Sequence, residues 1–435
     1  MGDSMNIRHL RHSAAGFGLL SALLLSSVAH AAPPQPQACQ GGAGCAASAC
    51  PTSITSAQAT VPTAACPKFG ESQTGVDTFS WNEFIAFNWP AKSDCTADTA
   101  KSILSIKRGN QGPVVWQTQM SSDDVFVAPD KTPAKWCDND NVAALFAKRP
   151  RVLAHPAKSA ASEATLEGLA ANMSSPTGVK AVGGVVTDQG GRWLRYERLM
   201  NQLELNAIVT NNWYKLSVLN AQSSITLPTG SVEFKSSWKI LTPAEIRAGR
   251  YYTTIATVYN TPDEAPSPGV NPVTLGLVGL HIIQKTPQQS GFFWSTFEQV
   301  DNDRVFFNPH GSKVVNTQTA KKPYTELLPN GTSINAPVQI TRVNKIAADP
   351  ALNAYYQKLL AGSVFANYRL VSTQWQTGGA PAGTPPNVSN IVIETYVQTV
   401  KGQGGATGCL GCHINATAAN NKTLTDHSFL FLEAK

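Results

Sequence analysis

The chain has 435 residues, 42% of them apolar and only 14% charged, with 33 Gly, 28 Pro and a formal charge of +6. So small a charged fraction beside so much Gly and Pro excludes a coiled coil, a long helical bundle and an acidic disordered chain. The Lys and Arg residues form no cluster of the kind a nucleic-acid groove needs, so no nucleic-acid partner is expected.

Arg8 and Arg11 precede an apolar run, Ala14 to Val28, that ends in Ala29-His30-Ala31. A basic start, a short apolar stretch and an A-x-A site predict a signal peptide over residues 1–31, and hence a periplasmic or secreted chain. An N-terminal membrane anchor is the alternative, but the run is short of the ~20 residues a spanning helix needs. No later stretch reaches that length, so no transmembrane segment is expected in the mature chain. Six of the eight cysteines, Cys39, Cys45, Cys50, Cys66, Cys95 and Cys137, fall in the first third. Export favours pairing them as three disulfides, with Cys95 and Cys137 tying the first helical region to the next loop. A metal site at Cys39, Cys45 and Cys50 is the alternative. Residues 32–75 are rich in Ala, Pro and Gly and read as a stapled segment. A core domain is expected over 76–400 and a terminal segment over 401–435.

Along the core, apolar spacing predicts a helix over Thr78 to Pro90, a short strand over Pro113 to Thr118 and a short helix over Asp140 to Lys148. A weak helix is expected over Ser162 to Met173. Helical spacing over Trp193 to Leu219 predicts two helices broken at Asn211-Asn212. The period then changes to two. Ser231 to Lys239 reads as a half-buried strand, and Thr242-Pro243-Ala244-Glu245 as a capping box. Arg250 to Tyr259, Val273 to Lys285 and Gly291 to Val300 read as strands, the last two as an antiparallel hairpin across Thr286 to Ser290. A helix over Pro350 to Leu360, a strand over Val364 to Trp375 and a strand or helix over Val388 to Val400 follow. Together these predict an α+β fold with a mainly antiparallel sheet, flanking helices and a short C-terminal helix. Asp138 with Asp140, and Asp301 with Asp303, lack the Gly and distal Glu of a calcium loop and read as turns or caps.

One motif carries specific chemistry. Cys409-Leu410-Gly411-Cys412-His413 is C-x-x-C-H, the attachment signature of a c-type haem. On a helix, Cys409, Cys412 and His413 share one face of one turn, where two thiols can add to the haem vinyl groups while the imidazole reaches the iron. A thioredoxin-like pair would need a preceding strand in a βαβ unit, a zinc site would need a fourth ligand near His427, and a Cys409–Cys412 disulfide would be strained.

These residues resemble the c-type cytochrome superfamily. The segments FIAFNWP, EFKSSWKIL, GLHIIQKT and FFWSTFEQVDN are similar to those of large, exported, single-haem bacterial cytochromes. The resemblance implies one covalent haem c, an unidentified redox partner protein and electron transfer; the alternative is a haem-dependent enzyme of peroxidase or oxygenase type. It departs from the small cytochromes, in which the motif opens the domain and a later Met is an axial ligand, since Met200 is the last Met here. So short a terminal segment must borrow a pocket, and the aromatic supply lies in Trp238, Tyr251, Tyr252, Phe292, Phe293, Trp294, Phe297 and Trp375, each of which also reads as ordinary core. His413 is the expected proximal ligand. His281 and His427 are the candidates for the distal side, while His155 and His310 sit in loop-like stretches. A hairpin centred on Gln288-Gln289 puts His281 opposite Thr296, with Trp294 and Glu298 on the same face.

Overall fold

In the computed structural model of the chain, the described residues are 50–63, 73–107, 112–153, 186–188, 192, 194–258, 272–287, 289, 291–304, 307–309, 317–327, 333–340, 345–377, 380–382, 388, 390–393 and 408–435. All belong to one compact unit, Pro33–Lys435. The weak helix expected at Ser162 to Met173, His155, His310, the stretch 394–400 and the signal segment lie outside the described residues.

The helices are α1 (Gln73–Phe87), α2 (Ser122–Val125), α3 (Asp140–Phe146), α4 (Gln202–Thr210), α5 (Leu216–Leu219), α6 (Pro243–Ala248), α7 (Pro350–Leu359) and α8 (Gly408–His413). The strands are β1 (Met120–Ser121), β2 (Arg151–Leu153), β3 (Val186–Asp188), β4 (Arg195–Met200), β5 (Val232–Ile240), β6 (Thr253–Val258), β7 (Val273–Lys285), β8 (Phe292–Gln299), β9 (Phe307–Pro309), β10 (Thr317–Leu327), β11 (Ser333–Ile340), β12 (Tyr368–Thr377) and β13 (Ala380–Ala382). The fold is α+β, with a mostly antiparallel sheet and helices beside it. The principal sheet runs β1-β4-β5-β7-β8-β12-β13, with β6 also on β7 and β2 parallel to β6. Among the described residues no helix is long and apolar enough to cross a membrane.

Local chemistry accounts for several boundaries. Thr242 accepts from the Glu245 N–H while Glu245 accepts from the Thr242 N–H, the reciprocal capping box expected there, with Pro243 at the first helical position. β7 spans the nearly uncharged run Val273–Lys285 and lies mid-sheet, where both faces are covered. Gly279 is required on it, because an added Cβ would sit 2.8 Å from Val392 and 2.9 Å from Asn390. Asp140 lies in the first turn of α3 behind the Asn139 cap, and Asp301 is bound by Arg250 at 2.8 and 3.0 Å, both structural duties.

Three expectations are corrected. Pro113 to Thr118 is not a strand: Val115–Thr118 form a 3-10 turn with all four side chains buried, so alternation has no solvent side to follow. Within Trp193 to Leu219, the two helices broken at Asn211-Asn212 are present as α4 and α5, but the stretch before them is not helical. Arg195–Met200 pairs with β5, and only after the Asn201 cap does α4 begin. The β4 residues are buried on both faces, and apolar spacing cannot separate helix from strand there. β5 is almost wholly buried rather than half-buried, Glu233 and Lys239 included.

The two faces of the sheet have different occupants. On one, Ile282, Phe297 and Phe234 join the main core with α1 and α7, where Trp81 stacks on Tyr356 at 5.0 Å and Phe84 on Phe297 at 4.3 Å. The opposite face carries the alternate residues in two cross-strand rows. One row is Met200, Glu233, Ile283, Trp294 and Gln374; the other is Arg198, Lys235, His281, Thr296 and Ser372. The terminal segment 408–435 lies against this second face. Leu410 N–H donates to Gln374 Oε1 at 3.3 Å, and Arg198 Nη1 meets Glu433 Oε1 at 2.6 Å.

The Cys95–Cys137 disulfide joins the loop after α1 to the loop before α3, as the spacing suggests. Cys50 is disulfide-bonded as well, and its partner lies outside the described residues.

Candidate functional site

α8 brings Cys409, Cys412 and His413 onto one helical turn, while the side chain of Cys412 lies outside the described residues. Cys409 and Leu410 are buried in an apolar cluster that also holds Ile283, Phe292, Trp294 and Phe431. His413, at the end of the helix, is partly exposed. Its ring lies between two aromatic rings, Trp294 at 4.7 Å and Phe429 at 4.6 Å between centroids.

The His413 Nδ1 is 2.7 Å from the backbone oxygen of His427. A carbonyl oxygen only accepts, so Nδ1 carries the proton and in the neutral ring the lone pair is on Nε2. This is the arrangement that orients imidazoles bound to a metal and makes them more basic. The donor set therefore fits an axial ligand whose coordinating atom is Nε2.

The loop that supplies the carbonyl is held under strain. Asp426 and His427 both have positive φ, 51° and 74°, an unfavourable region for residues other than Gly. The surroundings hold them there. Asp426 Oδ2 accepts from the Leu227 N–H at 2.7 Å and is paired with the Lys285 ammonium. Burial raises the Asp426 carboxyl, but the His427 side chain, Lys285 and the Leu227 N–H overcome it and hold the group below the ordinary carboxylate range. His427 itself turns its ring beside Asp426 Oδ1, 3.7 Å away, and within 6.4 Å of the Phe292 ring.

Beneath this loop lies a pair of acids that the sequence reading did not single out. Glu204, from the first turn of α4, is fully buried, and Glu233 of β5 is 6% exposed. The two carboxyls lie against each other, and Ser428 donates to Glu233. Desolvation pushes Glu204 well above its ordinary value and Glu233 to about 7. Alternation along SVEFKSSWK could have marked Glu233 only as solvent-facing, because a segment that helps to bury it is some two hundred residues away.

His281 is 2% exposed, and its Nδ1 is 3.1 Å from Thr296 Oγ1. The register is the expected one, with His281 directly opposite Thr296. Trp294, against which His413 rests, is two residues from Thr296 and on the same face. Glu298 accepts from the Ile391 N–H at 2.8 Å and lies 3.6 Å from Arg369. Of the aromatic residues considered as pocket lenders, Phe292 and Trp294 reach the C-terminal segment. Trp238, Tyr252 and Phe297 belong to the main core on the opposite face, and Phe293 and Trp375 to a small cluster with Phe79. Among the described residues no three His, Cys, Asp or Glu side chains are grouped to hold a metal ion.

No family model matches the chain, and neither a curated protein nor a solved structure matches it.

Proposed function

We propose that the protein is an exported electron-transfer protein carrying one covalent haem c on Cys409, Cys412 and His413. The observation that carries this reading is the His413 Nδ1–H bond to the His427 carbonyl at 2.7 Å, made by the histidine of a C-x-x-C-H helix. Bound there, haem would supply a one-electron couple.

The chain's own residues have defined parts in this reading. Cys409 and Cys412 would anchor the macrocycle as thioethers, which keeps it attached outside the cell. His413 would offer Nε2 to the iron, its tautomer fixed by His427 and its ring plane by Trp294 and Phe429. The apolar cluster around Cys409 would exclude water from one edge of the group. His427 is taken here as a proximal residue. Its carbonyl is on the Nδ1 side of the His413 ring, away from Nε2, so it would hold the imidazole in place rather than bind the iron itself. His281 is the remaining distal candidate, because it is on the sheet face against which His413 rests.

The test is expression in a host with c-type haem assembly. The purified protein is expected to be coloured and to retain haem stain on a denaturing gel. Replacing both Cys409 and Cys412 by Ala should abolish that stain. A colourless protein from such a host overturns the reading.

A further inference from the structure

We propose that Glu204 and Glu233 form a proton site linked to the electron carried at the C-terminal motif, taking up one proton when the site is reduced and releasing it on oxidation. The proposal rests on the haem reading above and extends it to the residues behind the proximal histidine.

The geometry comes first. The two carboxyls face each other under the segment 426–428, and among the described residues neither Glu204 oxygen has any other hydrogen-bond partner. Two carboxylates can bond to one another only through a shared proton. Ser428 donates to Glu233 from the residue next to His427, whose carbonyl holds the His413 proton. The peptide link between His427 and Ser428 thus stands between the acid pair and the axial imidazole.

The charges around the pair single it out. Lys285 and Asp426 face it and neutralise each other, and Asp426 is held below the ordinary carboxylate range, so it stays ionised near neutrality. Lys235, two residues from Glu233 on the same face, adds a fixed positive charge. Desolvation lifts Glu233 to about 7, so the charge of the pair can change near neutral pH. Burial also removes it from screening by salt, so a unit change of charge at the neighbouring site is felt there. Among the described residues no three His, Cys, Asp or Glu side chains that include the pair are grouped to hold a metal ion.

The step balances simply. One electron arrives from a redox partner protein, one proton arrives from solvent at the ionised carboxyl of the pair, and no covalent bond is made or broken.

The experiment is a potentiometric titration of the haem-loaded full chain at a series of pH values, for the wild type and for the E204Q/E233Q double variant. In the wild type the midpoint potential should fall with rising pH across neutrality, with a slope approaching one proton per electron. In the double variant the curve should be flat over that range. A flat wild-type curve, or a slope that persists unchanged in the double variant, overturns the proposal and leaves the haem reading standing. A protein without covalent haem overturns both. Should the double variant fail to fold, redox-difference infrared spectroscopy of the wild type decides. A protonated-carboxyl band that grows on reduction supports the proposal, and its absence overturns it.

Discussion

Lys285, the last residue of β7, places its ammonium on the carboxylate of Asp426, the residue before the one whose carbonyl holds His413. The pair therefore ties the central strand to the strained loop behind the motif. Removing one member leaves the other buried and uncompensated, which costs about 3 kcal/mol or more. Lys285→Met is expected to lower the unfolding midpoint by that amount and to loosen the loop at 426–428. Denaturant titration measures the first effect, and amide exchange at His427 and Ser428 the second. The sign with pH follows from the depressed Asp426 carboxyl. Its contribution is present above the unfolded value of 3.8 and is lost as pH falls through the lower folded value. The Lys285→Met variant should accordingly lose less stability on acidification than the wild type.

The acid pair works in the opposite direction. Glu233 is raised from 4.5 to about 7 and Glu204 is raised well above its ordinary value, both by desolvation. A carboxyl with a raised folded value favours the folded state fully below its unfolded value, and that advantage is lost as pH rises through the folded one. Stability is therefore expected to fall between about pH 4.5 and pH 7 and to remain lower above it. Replacing Glu233 by Gln, which imitates the protonated acid, should flatten the decline and raise the melting temperature at pH 8. A wild-type melting temperature that rises over this interval and an unaltered slope in the variant would both contradict it.

The sheet was legible in the sequence where a long uncharged run or a local rule defined it. Val273–Lys285 reads as a strand because no helix period and few charges interrupt it. His281 falls opposite Thr296 because a short turn leaves one register for the hairpin. Thr242 and Glu245 reveal the start of α6 through a contact three residues long. What escaped was set by distant chain. Glu233 alternates with apolar residues as a solvent-facing residue would, and α4 together with the segment 408–435 makes that face an interior. Arg195–Met200 has helical spacing and is a strand because β5 pairs with it. The C-x-x-C-H motif is readable from spacing alone. The acceptor for His413 is not, since it is a backbone oxygen presented by two residues of positive φ.

The backbone origin of that acceptor has its own consequence. His427→Asn keeps a residue type that tolerates the left-handed region and removes the imidazole. On the present reading the carbonyl, not the ring, serves His413, so this variant should attach haem and show the wild-type spectrum. Loss of a ligand-dependent band in His427→Asn would return its ring to the metal.

The Cys95–Cys137 disulfide closes a loop of 42 residues in sequence separation. Chain-entropy reasoning gives a bridge of this span roughly 4 kcal/mol of stabilisation. The Cys95→Ala/Cys137→Ala variant is expected to unfold at lower denaturant by roughly 2–4 kcal/mol. Mass spectrometry of the wild type without reduction should show neither thiol open to alkylation.

His281 supplies the sharpest test of where a haem would rest. It is buried mid-sheet, in the row that also holds Arg198, Lys235, Thr296 and Ser372, beside the row on which His413 lies against Trp294. A purely structural role is satisfied by the 3.1 Å contact with Thr296. A distal role uses the same contact differently. With Nδ1–H donating to Thr296 Oγ1, the lone pair is on Nε2, the atom an iron would need. His281→Ala is therefore expected to leave haem covalently attached, since Cys409 and Cys412 are untouched, and to shift the spin-state bands of the oxidised protein. Thr296→Val, which frees the Nδ1 proton and lets the ring turn, should produce a smaller shift in the same direction. Spectra of both variants identical to the wild type would confine His281 to the packing of the sheet.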